Sequence, residues 1–396
     1  VKRDFVFTSE SVTEGHPDKL CDQISDTILD HFLRQDPFAR VYTECAVASG
    51  VVFVAAQFAS EATVDIPAAA REVIALVGYD RDDFNSKTCS IMTSLAAMPP
   101  ENSPRIDEAT LDDAAIERIP ATHQATLFGF ACTQTPALIP LPIWLAHKLA
   151  RRLAAVRLTR QLPYLAPDGK TQVSVEFEDG RPHRIHGIAL TAATYPELMP
   201  ATGRFEADMR SAVIEAAFRD EPVLPDDATR VFINLGGPFH VGGPARHSGL
   251  TGRKTAVDTY GEYCRHSGAA LSGKDPSRID RVGAYAARYA AKNVVRAGLA
   301  AECELQLTYA IGLSRPVSVQ VETFGTGTMP DADIAKLVER NFDFRPAAIV
   351  RQFNLRRQPA LSRKGFYSRL AAYGHVGRMD IGLPWELTDK VGALRA

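Results

Sequence analysis

The chain has 396 residues, too many for one compact core, so two or three domains are expected. Its formal net charge of -2 leaves no global basic excess for collecting phosphates nonspecifically, which argues against a dedicated nucleic-acid or anionic-membrane binder. With 45% hydrophobic and 23% charged residues the composition is that of a soluble globular protein, so any phosphate chemistry has to come from a local cluster of cations.

From the N-terminus, Val1-Lys2-Arg3-Asp4 carries no apolar h-region, and no signal peptide is expected. Helical periodicity marks Leu20–Leu33 and Ala68–Val77, and between them Val51–Phe58 alternates with period two as a half-buried strand does. Met98-Pro99-Pro100-Glu101-Asn102-Ser103-Pro104 and the acidic run to Asp113 read as a mobile surface loop. The most apolar stretch, Ala137–Ala146, holds Pro140 and Pro142 and runs into His147, Lys148, Arg151 and Arg152. It predicts a helix over Leu145–Val156, well short of the roughly 20 apolar residues of a membrane span. Further on, Thr171–Phe177 and Val317–Thr323 read as strands, and Arg204–Phe218, Asp280–Ala297 and Asp331–Asn341 as helices. Strands mixed with amphipathic helices predict an α+β layout of sheets covered by helices on one face. The six cysteines are scattered without a CxxC pair, as expected of reduced thiols in a cytoplasmic protein.

Two constellations carry chemistry. Gly249-Leu250-Thr251-Gly252-Arg253-Lys254-Thr255, with Leu271-Ser272-Gly273-Lys274-Asp275, Arg278 and Asp280, sets glycines beside cations, an arrangement that lets backbone N–H groups and side chains converge on an anion. Gly268–Lys274 has the spacing of a P-loop. Asp275, however, stands where magnesium needs Ser or Thr, and no buried strand leads into it. Near the N-terminus, Gly15-His16-Pro17-Asp18-Lys19 puts an imidazole and a carboxylate on the turn before a helix. His183 and His186 lie on a polar strand without a cysteine or carboxylate cluster and are not read as a metal pair.

Together these motifs resemble the S-adenosylmethionine synthetase (methionine adenosyltransferase) family. The resemblance rests on GHPDK, DxK at Asp168–Lys170, GLTGRK, SGKD and Ala284-Tyr285-Ala286-Ala287-Arg288, and runs from Phe7-Thr8-Ser9-Glu10-Ser11 to Pro384-Trp385-Glu386. It implies three pseudo-repeated sheet-plus-helix domains, placed at 1–100, 117–234 and 235–396 with an active-site loop at 101–116. It also implies a homodimer or homotetramer whose active sites lie between subunits. Val51–Phe58, Thr171–Phe177 and Val317–Thr323 are the candidate interface strands, on their apolar alternation.

In the family a methionine sulfur attacks C5′ of ATP and expels triphosphate, which is then hydrolysed. The resemblance implies that His16, Lys170, Arg253, Lys254 and Lys274 act on the triphosphate, and that Asp168, Phe239 and Ala270 border the nucleotide. Asp18 and Asp280 would bind Mg2+ and Glu44 K+. The acceptor end departs from the family pattern. Gln57 and His123 replace acidic residues, His247 replaces an aspartate, Met98 replaces a glutamine and Arg278 replaces a lysine, while Ile311 is retained. The common direction is loss of negative charge, so the expected acceptor differs from methionine at its ammonium end. The alternatives are an ordinary, divergent methionine adenosyltransferase and a partner-dependent or non-catalytic subunit.

Overall fold

The structure, a computed structural model, describes residues 4–81, 84–99, 104–240 and 242–396. Of the proline-rich loop, residues 100–103 lie outside the described residues. The alternating segments form strands Val51–Ala59, Leu165–Glu178 and Ser318–Glu322. The periodic ones form helices Pro17–Gln35, Ile66–Val77, Leu141–Leu158, Ile279–Arg296 and Asp331–Asn341. The predicted helix over Arg204–Phe218 is α-helical at Thr202–Asp208 and Ala216–Phe218, with a π-helical stretch, Met209–Glu215, between.

Three sheets organise the chain. The first orders its strands Gly249–Leu250, Arg40–Ala48, Val51–Ala59, Ser90–Ala97. The second runs Phe5–Val12, Leu165–Glu178, Arg181–Thr194, Arg230–Ile233, and the third Ser318–Glu322, Glu302–Tyr309, Ala125–Cys132. One long helix covers each: Pro17–Gln35 the first, Leu141–Leu158 the second and Ile279–Arg296 the third.

The repeat is cyclic. Phe5–Val12 pairs into the second sheet, yet the helix that follows it covers the first. Ala125–Cys132 pairs into the third, and the helix after it covers the second. Gly249–Leu250 pairs into the first, and the next long helix covers the third. No sheet is therefore built from one continuous stretch of sequence.

Only one of the three candidate interface strands turns apolar residues outward. On Val51–Ala59 the open face carries Val51 and Phe53, both exposed, with Met92 and Leu250 from the same sheet on that side. On Leu165–Glu178 and Ser318–Glu322 the apolar positions Val173, Val175, Phe177 and Val321 are the buried ones, and the open faces carry Gln172, Ser174, Glu176 and Gln320. Alternation there reports the face covered within the chain, and the open faces of those two strands are polar.

The third helix sits close on its sheet because Gly129 has no side chain. A Cβ there would lie 2.1 Å from the Ala287 carbonyl carbon. One residue on, Arg288 is fully buried and donates to the carbonyls of Phe130, Leu138 and Ala137 and to both oxygens of Glu386 at 3.0 and 2.8 Å. Burial alone would raise the Glu386 carboxyl; Arg288 and Lys292 outweigh it and hold it below the ordinary range. Replacing Arg288 with Leu removes the donors to the Phe130, Ala137 and Leu138 carbonyls and leaves the buried Glu386 with Lys292 and Gly377 N alone. It is expected to cost about 3–5 kcal/mol, read as a lower denaturant midpoint; a loss under about 1 kcal/mol would contradict this packing.

Candidate functional site

The predicted residues gather in two sets, each at the N-terminus of a long helix. His16 is the N-cap of Pro17–Gln35 and Asp18 its second residue; Arg278 is the N-cap of Ile279–Arg296 and Asp280 its second residue. The two candidate magnesium ligands thus hold equivalent places on two repeated helices, where the helix dipole favours a carboxylate. The third repeat has Pro140 and Pro142 at the corresponding places and offers no such ligand.

The first set forms because Phe5–Val12 pairs antiparallel with Leu165–Glu178, placing Val12 opposite Lys170. Thr13 then donates to the Gly169 carbonyl at 3.0 Å, so the turn carrying His16 lies against Asp168 and Lys170. Asp168 is buried; its Oδ2 accepts from Gly243 N at 2.8 Å and meets His247 Nε2 at 3.0 Å. Its Oδ1 is buried without a hydrogen-bond partner, an unspent acceptor suited to a nucleotide's hydroxyl or amino group. The rings of His16 and His247 lie 5.0 Å apart. Asp18 Oδ1 accepts from Leu250 N at 3.1 Å, with Arg253 Nε at 3.7 Å, and Lys254 pairs with Glu10 at 2.8 Å. The turn bearing Arg253 depends on Gly252 at φ +80, where a Cβ would lie 2.3 Å from that of Ala270. Phe239 lies beside this set through its carbonyl, which accepts from Thr194 N at 2.9 Å.

Burial, with His247, Lys170 and Lys254, pushes the His16 imidazole down to about 3 against the pull of Asp168, so the ring is neutral. Its Nδ1 accepts from Asp18 N at 3.2 Å, which puts the proton on Nε2 and makes that atom a donor. Donor atoms of His16, Asp168 and His247 lie within 4.8 Å of one another, but in this tautomer His16 Nε2 has no lone pair for a metal. The trio is a hydrogen-bonding set suited to phosphate and ribose oxygens. Asp18 Oδ2 lies 3.7 Å from His16 Nδ1 and makes no hydrogen bond among the described residues, a hard oxygen of the kind magnesium prefers.

The second set lies on the first sheet and the start of helix Ile279–Arg296. Lys274 bridges to Tyr42 and pairs with Asp280 at 3.2 Å; burial pulls its ammonium below the usual range against Asp280. Tyr42 donates to Glu44, the proposed K+ carboxylate. Gln57 is the cross-strand partner of Tyr42, and the Arg278 guanidinium lies 4.9 Å over the Tyr42 ring. Arg278 Nη1 contacts both ring nitrogens of His123, 3.2 Å from Nδ1. Burial, and then Arg278, holds His123 below the usual imidazole range. Gln57, Met98, His123, Arg278 and Ile311 line one cavity of about 730 Å³.

His247, predicted with the acceptor residues, stands instead in the first set against Asp168. Among the described residues no hydrogen bond or ion pair joins the two sets. Gln134, near His123 in sequence, binds Tyr263 and Leu141 N and belongs to the packing of the third sheet. Gly268–Lys274 leads into no P-loop helix, and Asp275 accepts from Val41 N and Ser277 N. Sequence reasoning missed Arg40, which lines the cavity. The available signal was a cation heading a strand whose next residue, Val41, is fully buried.

Family models described as the S-adenosylmethionine synthetase N-terminal, central and C-terminal domains match residues 4–100, 118–239 and 241–387. The S-adenosylmethionine synthase of Trichormus variabilis is 48% identical over 408 residues, covering 100% of this chain and 97% of that protein. That of Gloeothece citriformis is 48% identical over 406 residues, covering 99% and 97%. With three domains matched in order and such identity along its whole length, the chain belongs to the S-adenosylmethionine synthetase family.

Proposed function

We propose that the protein is an ATP-dependent adenosyltransferase that joins C5′ of ATP to a thioether or other nucleophile differing from methionine at its ammonium end. A sulfur lone pair forms the S–C5′ bond as the C5′–O bond breaks, and the electron pair leaves with triphosphate. The His16 Nε2–H and the cations of Lys170, Arg253, Lys254 and Lys274 receive the leaving charge, and triphosphate is then hydrolysed. Asp18 and Asp280 would hold Mg2+, which neutralises phosphate charge when bound, and Glu44 would hold K+. The observation that carries the acceptor reading is the cavity of about 730 Å³, where Gln57, Met98, His123 and Arg278 offer no carboxylate to an ammonium group.

The separation of the two sets supports a site completed by a second copy. The outward Val51, Phe53, Met92 and Leu250, 40–57% exposed, supply an apolar face for it. A homodimer, or a tetramer of two, follows. The free cysteines fit a cytoplasmic enzyme. A second reading, methionine itself as acceptor, is favoured by 48% identity to proteins named S-adenosylmethionine synthase. A third, a subunit active only with a partner chain, rests on the same separation of the sets.

Purified protein with ATP, Mg2+ and K+ is expected to release triphosphate-derived phosphate with a thioether panel and to form little S-adenosylmethionine by mass spectrometry. Robust methionine-dependent product would sink the altered-acceptor reading, and no turnover with any nucleophile would favour the partner-subunit one. Returning His123 and His247 to Asp together should raise kcat/KM for methionine by about 30-fold or more, the scale of one restored charge pair; an unchanged value would place acceptor choice elsewhere. Because burial and Arg278 disfavour its charged form, His123 should titrate below the ordinary 6.5. An NMR midpoint at or above that value would contradict a neutral ring.

A further inference from the structure

The ionic content of the cavity is unbalanced. Arg40, Arg118 and Arg278 line it, and Glu108 is the one carboxylate among its described lining residues. Glu108 is unavailable to a ligand: it is buried and both its oxygens are taken by Arg356, at 2.6 and 2.7 Å. Arg40 is 9% exposed, makes no hydrogen bond or ion pair among the described residues, and has a buried Nε without a partner. Its nearby counter-charge, Asp275, already accepts from Val41 N and Ser277 N. Arg278 has no carboxylate partner either; it rests on the Tyr42 ring and on His123.

A buried guanidinium without an acceptor is costly, and a second cation lining the same cavity adds repulsion. Burial first, and then Arg356 and Arg278, push Arg40 below the ordinary arginine range despite Asp275 and Glu108. A carboxylate relieves both guanidiniums, since each presents a fork of N–H donors matched to two oxygens. An ammonium group in the same cavity meets the cations of Arg40, Arg118 and Arg278, a neutral imidazole and the Gln57 amide. A neutral oxygen beside the carboxylate can instead take hydrogen bonds from His123 or Gln57.

We infer that the acceptor is a thioether acid with an uncharged hydroxyl or keto oxygen where an amino acid carries its ammonium, its carboxylate held by Arg40 and Arg278. The sulfur supplies the electron pair of the new S–C5′ bond, the C5′–O pair departs with triphosphate, and no redox partner is required. The inference rests on the altered-acceptor reading and goes further by naming the acceptor's charge.

The test compares three thioethers with the same methylthioethyl chain: methionine, its 2-hydroxy-acid counterpart, and the corresponding uncharged alcohol. Each is given to the full-length protein with ATP, Mg2+ and K+, and kcat/KM is read from sulfonium product by mass spectrometry. The hydroxy acid is expected to exceed both others by about 10-fold or more. An alcohol as good as the hydroxy acid overturns the anion inference and leaves the altered acceptor standing. Methionine as the best substrate overturns both, and turnover of none overturns the inference. Arg40→Gln should raise KM for the hydroxy acid by about 10-fold and leave KM for the alcohol unchanged; equal effects on both overturn the role of Arg40. The wild-type substrate series decides the inference even if that variant fails to fold.

Discussion

The phosphate end of this protein depends on the antiparallel pairing of Phe5–Val12 with Leu165–Glu178. Because Val12 lies opposite Lys170, the chain leaves the strand beside Asp168 and enters a helix within five residues, with His16 as its cap. A slip of one residue would turn Lys170 to the other face of the sheet and part it from His16. The same register fixes Asp18 at the helix start, where its Oδ1 accepts from Leu250 N. The cyclic exchange of strands repeats this construction at Arg278 and Asp280, so one device supplies both candidate metal carboxylates.

The two ends differ in how their charge is balanced. At the first, Lys254 faces Glu10 and Arg253 faces Asp18, so the cations are held by exposed or shareable acids that phosphate can displace. In the cavity, neither the Arg40 nor the Arg278 guanidinium makes an ion pair among the described residues: Asp275 near Arg40 accepts from Val41 N and Ser277 N, and Glu108 is committed to Arg356. His123 is held neutral, so it withholds attraction from an ammonium group without adding to the cations of Arg40, Arg118 and Arg278. Kinship along the whole chain and chemical divergence in one cavity are compatible, since a handful of side chains decides which acceptor a conserved scaffold takes.

Much of this was legible in the sequence. Period-two alternation located Val51–Phe58, and GHPDK and GLTGRK marked residues that the fold gathers at the N-terminus of helix Pro17–Gln35, because these are local patterns with local causes. What covers each strand was not legible, since alternation gives a buried face without saying what buries it; each of the three sheets is covered on one face by a long helix of this chain. The exchange of strands, the seat of His247 on Asp168 and the unpaired state of Arg40 depend on residues up to 235 positions apart, such as Val41 and Asp275, at 234. No short window contains them.

In the proposed reading, nucleotide handling persists while the acceptor end no longer receives methionine. Calorimetric titration of methionine onto protein saturated with a non-hydrolysable ATP analogue and Mg2+ tests it most directly. The nucleotide analogue should bind at one per chain, and methionine should then give no saturable heat up to about 1 mM, weaker than about 4 kcal/mol of binding. Stoichiometric methionine binding at micromolar concentration would contradict the account.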